Sequence, residues 1–187
     1  MEAVLLNSGG IDSLASAMRL GQFIEELTLH SLFVNLGQEN TPSARIAAEM
    51  IASEFCVSHK ELLLPDFSLP ELDPSSQRKI FPYQTTLLAT IGANYAKQLN
   101  VDSVVLGTDS ESHSMTYDKK LAATFAEGLA YSYTVIPVFP IKTLSRQQRI
   151  ELVKQHPLGF VTVSCWKPTK CGSCDRCNER IALGLDL

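Results

Sequence analysis

The stretch Leu5-Leu6-Asn7-Ser8-Gly9-Gly10-Ile11-Asp12-Ser13, LLNSGGIDS, decides how the rest of the chain is read. It leaves a short apolar run, Ala3–Asn7, which reads as a buried strand, and enters an apolar periodicity carried by Leu14, Ala17, Met18 and Leu20. That spacing predicts a helix from about Asp12 to Glu26. A strand-to-helix turn needs one glycine at most, so two glycines flanked by two serines and a carboxylate suggest backbone arranged around a small anion. The N-terminus of a helix offers unpaired N–H groups and the positive end of its dipole, and glycine lets those groups approach phosphate oxygens closely. Asp12 offers a carboxylate that can cap the helix and help hold Mg²⁺ near the phosphates. The plain alternative is a glycine-rich turn with serine capping.

Working outward, strand and helix signals alternate. Thr28–Val34 and His59–Leu64 read as strands. Between them Thr41-Pro42 supplies an N-cap and first-turn proline for a helix through Ile46, Met50, Ile51 and Phe55. Pro65–Pro82, with four prolines, reads as a loop. Tyr83–Asn100 is helical, Ser103–Gly107 a strand, Thr116–Tyr131 a helix and Tyr133–Phe139 the last strand. Ser145 with Gln148 forms a capping box for a helix to about Gln155. Repeated β-α units with short buried strands predict an α/β fold, a parallel sheet with helices on both faces. Ligands of such sheets sit beyond the carboxyl ends of the strands, so the loops after Leu6, Val34 and Leu106 should line one cleft.

The 187 residues suit a single domain: residues 1–160 as the sheet domain and 161–187 as a C-terminal segment packed on it. A formal net charge of −4 argues against broad contact with a nucleic-acid backbone. With no secretory signal or membrane-length apolar run visible, a cytoplasmic, soluble protein without membrane contact is expected. Four of the five cysteines, Cys165, Cys171, Cys174 and Cys177, form C-x₅-C-x₂-C-x₂-C. Four thiolates suit a tetrahedral, closed and therefore structural Zn²⁺, one per chain, although an iron–sulfur cluster accepts the same ligands. Cys56 reads as a small buried hydrophobe.

The loop is neither G-x-x-x-x-G-K-[ST] nor G-x-G-x-x-G. S-G-G-x-D-S after an N-terminal strand resembles the PP-loop of the N-type ATP pyrophosphatases (adenine nucleotide α-hydrolase-like fold), which cleave ATP to AMP and pyrophosphate while adenylating a carboxyl or carbonyl. The tail SCWKPTKCGSCDRCNER resembles that of the 7-cyano-7-deazaguanine synthase (QueC) family, where Ser/Thr-Cys is followed by C-G-x-C-x-x-C-x-x-R; Arg180 matches too. Leu36–Asn40, LGQEN, resembles the family's Y-G-Q segment.

The resemblance implies an ATP-dependent C–N ligase that adenylates 7-carboxy-7-deazaguanine and passes it to ammonia, giving amide and then nitrile, in queuosine biosynthesis. It also implies ATP, Mg²⁺ and Zn²⁺ as cofactors and a homodimer. Ser8, Gly9, Gly10, Asp12 and Ser13 would contact the ATP phosphates, with Leu6, Ile11, Val34 and Gly37 beside them. Candidates for the substrate cleft are Asp12, Gln38, Tyr83, Gln84, Asp109, His113 and Asp118. The family's P-G-R-N segment is replaced here by Pro82-Tyr83-Gln84-Thr85. QueC-like proteins also occur in antiviral defence clusters, where the activated deazaguanine is joined to an amine of a partner protein, so that acceptor is the alternative. A tRNA-thiolating relative would need a basic face and a catalytic cysteine. A non-catalytic nucleotide-binding module is the remaining reading.

Overall fold

The computed structural model describes residues 1–64, 84–108, 127–129, 131, 134–165 and 167–186. The expected loop Pro65–Pro82 and most of the expected helix Thr116–Tyr131 lie outside them. Strands β1 (Glu2–Leu6), β2 (Thr28–Asn35), β3 (Ser58–Leu63), β4 (Ser103–Val105) and β5 (Ile136–Val138) form one sheet in the order β3-β2-β1-β4-β5. Every pairing is parallel. The helices are α1 (Ile11–Phe23), α2 (Thr41–Phe55), α3 (Gln84–Gln98), α4 (Arg146–Lys154) and α5 (Asp175–Ala182), with a 3₁₀ turn at Pro157–Phe160.

Alternation along β1 assigns the two faces. Ala3 and Leu5 join Ile11, Leu14 and Leu20 of α1 and Ile150 and Val153 of α4 in one core. Val4 faces the other way, into a core with Ala89, Ala93 and Ala96 of α3 and with Val104. Helices therefore cover both faces, as the strand pattern predicts. The order reverses where β1 lies between β2 and β4, which opens a crevice at the carboxyl ends of these strands.

Several local expectations are corrected. Asn40, not Thr41, is the N-cap of α2; Thr41 Oγ1 turns back toward Gln38 Oε1 (3.4 Å) and Asn35 Oδ1 (3.5 Å). The buried face of α2 is Ala44, Ala47, Ala48, Ile51 and Ala52, while Ile46 and Met50 are exposed. The last strand is three residues long, an edge strand that tolerates Pro137 because its outer side needs no donor. The capping box is as expected: Ser145 Oγ accepts from Gln148 N (3.2 Å) and Ser145 N donates to Gln148 Oε1 (2.8 Å). The tail helix α5 and the 3₁₀ turn have no counterpart in the sequence reading.

Candidate functional site

The loop Asn7–Gly10 joins β1 to α1 at the reversal of strand order. Gly9 has φ +72°, and a Cβ there would lie 2.2 Å from the backbone oxygen of Ala44 on α2. Its N–H donates to Asn7 Oδ1 (3.1 Å), and its carbonyl accepts from Val163 N (2.9 Å). The loop is thus clamped between α2 and the segment leading to the cysteines. Ser13 Oγ accepts from Ser8 N (2.9 Å) and lies 3.1 Å from Ser8 Oγ, which folds the first turn of α1 over the loop.

Asn7 explains how the loop is held and was not singled out by the sequence. Its carboxamide, 1% exposed, donates to Ala48 O (2.8 Å) and Ser31 Oγ (3.0 Å) while accepting from Gly9 N. Ser31 Oγ in turn meets His59 Nδ1 at 2.9 Å. Burial, opposed by Glu49 and Glu61, holds this imidazole below its ordinary pKa. Replacing Asn7 by leucine removes one buried donor set and one acceptor, which should cost ~1–3 kcal/mol. A lower urea midpoint with an unchanged slope checks this; an unchanged midpoint contradicts it.

Asp12 is corrected in two respects. The N-cap of α1 is Gly10 with no side-chain cap, so Asp12 does not cap the helix. Its Oδ1 accepts instead from Arg149 Nη1 (2.6 Å) and Arg146 Nη1 (3.2 Å). Arg149 is 2% exposed. The capping box of α4 sets both arginines one turn apart on one helix face, a long-range pairing that local sequence signals do not carry. A carboxylate neutralised by two guanidinium groups is a poor cation ligand, so the described residues do not fit a protein-held Mg²⁺ at this point.

A cleft of about 170 Å³ opens beside the loop, lined by Leu6, Asn7, Ser8, Asp12, Ser13, Leu32, Val34, Thr85, Leu88, Leu106, Gly107 and Thr108. Its floor is apolar and its loop side carries hydroxyls. Gly107 keeps β4 close to α1, since a Cβ there would sit 2.9 Å from Asp12 O. Thr108 Oγ1 is buried without a hydrogen-bond partner among the described residues. Leu6, Ser8, Asp12, Ser13 and Val34 thus come together in the cleft lining. Gly9 and Gly10 form the loop behind it, and Ile11 is in the core. Gly37 and Gln38 are outside the lining: Gly37 N donates to Asn35 Oδ1 (2.9 Å), and Gln38 Oε1 accepts from Leu36 N (3.2 Å). Gln84 opens α3, and Tyr83, Asp109, His113 and Asp118 lie outside the described residues.

Cys165, Cys171, Cys174 and Cys177 place all four Sγ atoms within 4.8 Å of one another. The pairs Cys171–Cys177 and Cys165–Cys174 are 3.9 and 4.0 Å apart. A tetrahedron with 2.3 Å metal–sulfur bonds has edges of about 3.8 Å, so the group fits one tetrahedral ion. Backbone N–H groups, Ser173 first and then Cys174, draw the Cys171 thiol down to about 6, whereas burial pushes Cys177 up to about 12. Cys56, half-buried and apart from the cluster, is likewise pushed up to about 12 by burial, which suits an inert packing residue.

Arg180, 1% exposed, accounts for the final position of the tail motif. It forks onto Asp186 (2.8 and 2.9 Å) and donates to Thr162 Oγ1 (2.7 Å), pinning α5 to the body. Burial penalises the Asp186 carboxylate, but hydrogen bonds from Arg180 and Lys170 outweigh it and hold the carboxyl below its usual range. Such a group stabilises the fold above the unfolded-state pKa of about 3.9 and loses that contribution as pH falls through the lower folded value. The melting-temperature gap between the protein and Asp186→Asn should therefore be full near neutrality and shrink below about pH 4. A gap that does not change with pH contradicts the assignment.

A parallel sheet whose order reverses at a serine- and glycine-rich loop is the architecture of the PP-loop ATPases. Solved structures agree on the fold. The U34-tRNA thiolase NcsA from Methanococcus maripaludis, with its 4Fe–4S cluster, superposes with a TM-score of 0.65 at 18% identity, over 96% of this chain and 62% of that one. A 4-thiouridine synthetase–RNA complex with bound ATP gives 0.61 at 15% identity, over 98% of this chain and 49% of that one. Within that class, the family described as "Queuosine biosynthesis protein QueC" matches residues 70–184, and the chain belongs to it. The 7-cyano-7-deazaguanine synthase of Desulfotalea psychrophila is 25% identical over 206 residues, 96% of this chain and 92% of that protein. That of Coxiella burnetii is 26% identical over 211 residues, with 96% and 91% covered. Among the described residues, no helix is long and apolar enough to cross a membrane.

Proposed function

We propose that this QueC-family protein is an AMP- and pyrophosphate-forming enzyme that activates the carboxylate of 7-carboxy-7-deazaguanine. The observation that carries the reading is the clamped Ser8–Ser13 loop facing the cleft at the strand-order reversal. The substrate carboxylate attacks the α-phosphorus of ATP, the α–β bridging bond breaks, and pyrophosphate leaves. The α1 dipole, the N–H groups of its first turn and the hydroxyls of Ser8 and Ser13 stabilise charge gathering on the leaving group. A Walker lysine is not needed, because the γ-phosphate is not transferred. Arg146 and Arg149 fix Asp12 and add positive charge at the loop. Mg²⁺ enters with ATP as part of the substrate. Ammonia then displaces AMP to give the amide, and a second adenylation, on the amide oxygen, lets AMP leave and forms the nitrile.

The four cysteines support zinc: one ion explains sulfurs within 4.8 Å, whereas a four-iron cube spreads its thiolates over separate irons. Zinc there would fold the tail and supply no open coordination site.

The replacement of the family's P-G-R-N by Pro82–Thr85 favours a second acceptor, an amine of a partner protein as in the defence-cluster relatives. Mass spectrometry separates the two. With ATP, the carboxy-deazaguanine and ammonia, a free nitrile supports the synthase. A mass increase on a candidate partner, without nitrile, supports the protein ligase. Neither product, with ATP intact, contradicts both.

A further inference from the structure

The four-cysteine tail and the phosphate loop are joined by a chain of ion pairs of which the proposed reaction uses only the Asp12 end. Arg146 is the first residue of α4, and its backbone is fixed by the capping box. Its guanidinium spans two carboxylates from opposite ends of the chain: Nη1 donates to Asp12 Oδ1 at 3.2 Å, and Nε donates to Glu179 Oε2 at 3.0 Å. Glu179 lies on α5, whose N-cap is Cys174 and whose first turn carries Cys177. The backbone link from Val163 N to Gly9 O and the bond from Asn40 Nδ2 to Cys165 O (2.9 Å) run in parallel. Arg146 is 16% exposed and Glu179 26%, so the bridge is partly shielded from water.

We propose that Glu179 is a positioning residue: held by the metal-folded tail helix, it orients Arg146, which orients Asp12 at the mouth of the phosphate loop. Metal occupancy and nucleotide affinity are then coupled, and by linkage the coupling is reciprocal. A planar guanidinium with one edge on each carboxylate has little freedom to pivot, which makes it a rigid strut. The inference rests on the nucleotide reading above.

Orientation and net charge act in opposite directions here, and that separates a positioning role from a merely structural one. Removing a carboxylate near an anion site favours anion binding through charge alone. Glu179→Gln keeps an oxygen for Arg146 Nε without the charge, whereas Glu179→Ala keeps neither. With zinc content and melting temperature matched, α,β-methylene-ATP should bind Glu179→Ala about fivefold or more weakly than the parent, and Glu179→Gln should recover most of the loss. Equal or tighter binding by Glu179→Ala than by Glu179→Gln overturns the inference. If Glu179→Ala does not hold zinc, the unaltered protein decides: saturating α,β-methylene-ATP should slow zinc transfer to a chelator by a similar factor. Unchanged transfer overturns the coupling. A parent that does not bind α,β-methylene-ATP overturns the nucleotide reading and this inference together, whereas failure of the variant comparison alone overturns only the inference.

Discussion

Gly9→Ala should cost the protein roughly 3 kcal/mol or more and disable nucleotide binding in whatever fraction still folds. Two causes add. An L-residue at φ +72° is strained by itself, and the new Cβ would stand 2.2 Å from Ala44 O, where ordinary contact begins near 3.4 Å. The obstacle is backbone, so no side-chain rotation relieves it; loop and helix must part by about 1 Å. For a chain of this size, ~3 kcal/mol lowers the melting temperature by roughly 6–12 °C. A shift of about 1 Å breaks at least one hydrogen bond to a charged phosphate, worth ~1.5–3 kcal/mol, so affinity for α,β-methylene-ATP should fall by roughly ten- to a hundredfold. Calorimetric melting and titration of the folded variant check both. Parent-like values would mean that the loop is not held against α2.

Cys174→Ser should release the metal and produce the largest loss of stability. A structural zinc contributes ~10–16 kcal/mol of apparent binding energy, comparable with the whole stability of a domain of this kind. The damage is partly local, because the core of β1, α1 and α4 does not include the four cysteines. Loss of even ~4 kcal/mol would still lower the melting temperature by ~8–16 °C. Metal analysis should fall from close to one zinc per chain to near none, and a chelator should bring the unaltered protein to the same state. Cys56→Ser, at the distant half-buried thiol, serves as the control and should retain zinc. If Cys174→Ser melts like the parent, the structural role is wrong.

What could be read from the sequence is what depends on neighbours in the chain. The strand-to-helix loop, the Ser145–Gln148 capping box and the C-x₂-C steps are local signals, and each appears in the structure where it was expected. The spacing of large apolar residues points to the wrong face of α2, because its buried side is mostly alanine. Loop and helix approach so closely at Gly9 and Ala44 that alanines face inward, and Ile46 and Met50 are left outside. The supports of the loop were illegible for a different reason. Asn7 reaches 41 residues to Ala48, and Asp12 reaches 137 to Arg149. A buried arginine or asparagine looks like any surface polar residue until the fold shows its partner. Arg180 is the partial exception, legible as part of the tail motif, though only the structure shows that it grips Asp186 and Thr162.

In the proposed reaction the Ser8–Ser13 loop releases pyrophosphate during activation of a deazaguanine acid. The most direct measurement is the identity of the nucleotide product with and without 7-carboxy-7-deazaguanine, resolved by ion-exchange chromatography of an ATP and Mg²⁺ incubation. AMP and pyrophosphate are expected in equal amounts, formed only when the acid is present. ADP and inorganic phosphate, or AMP formed regardless of the acid, would contradict that reaction.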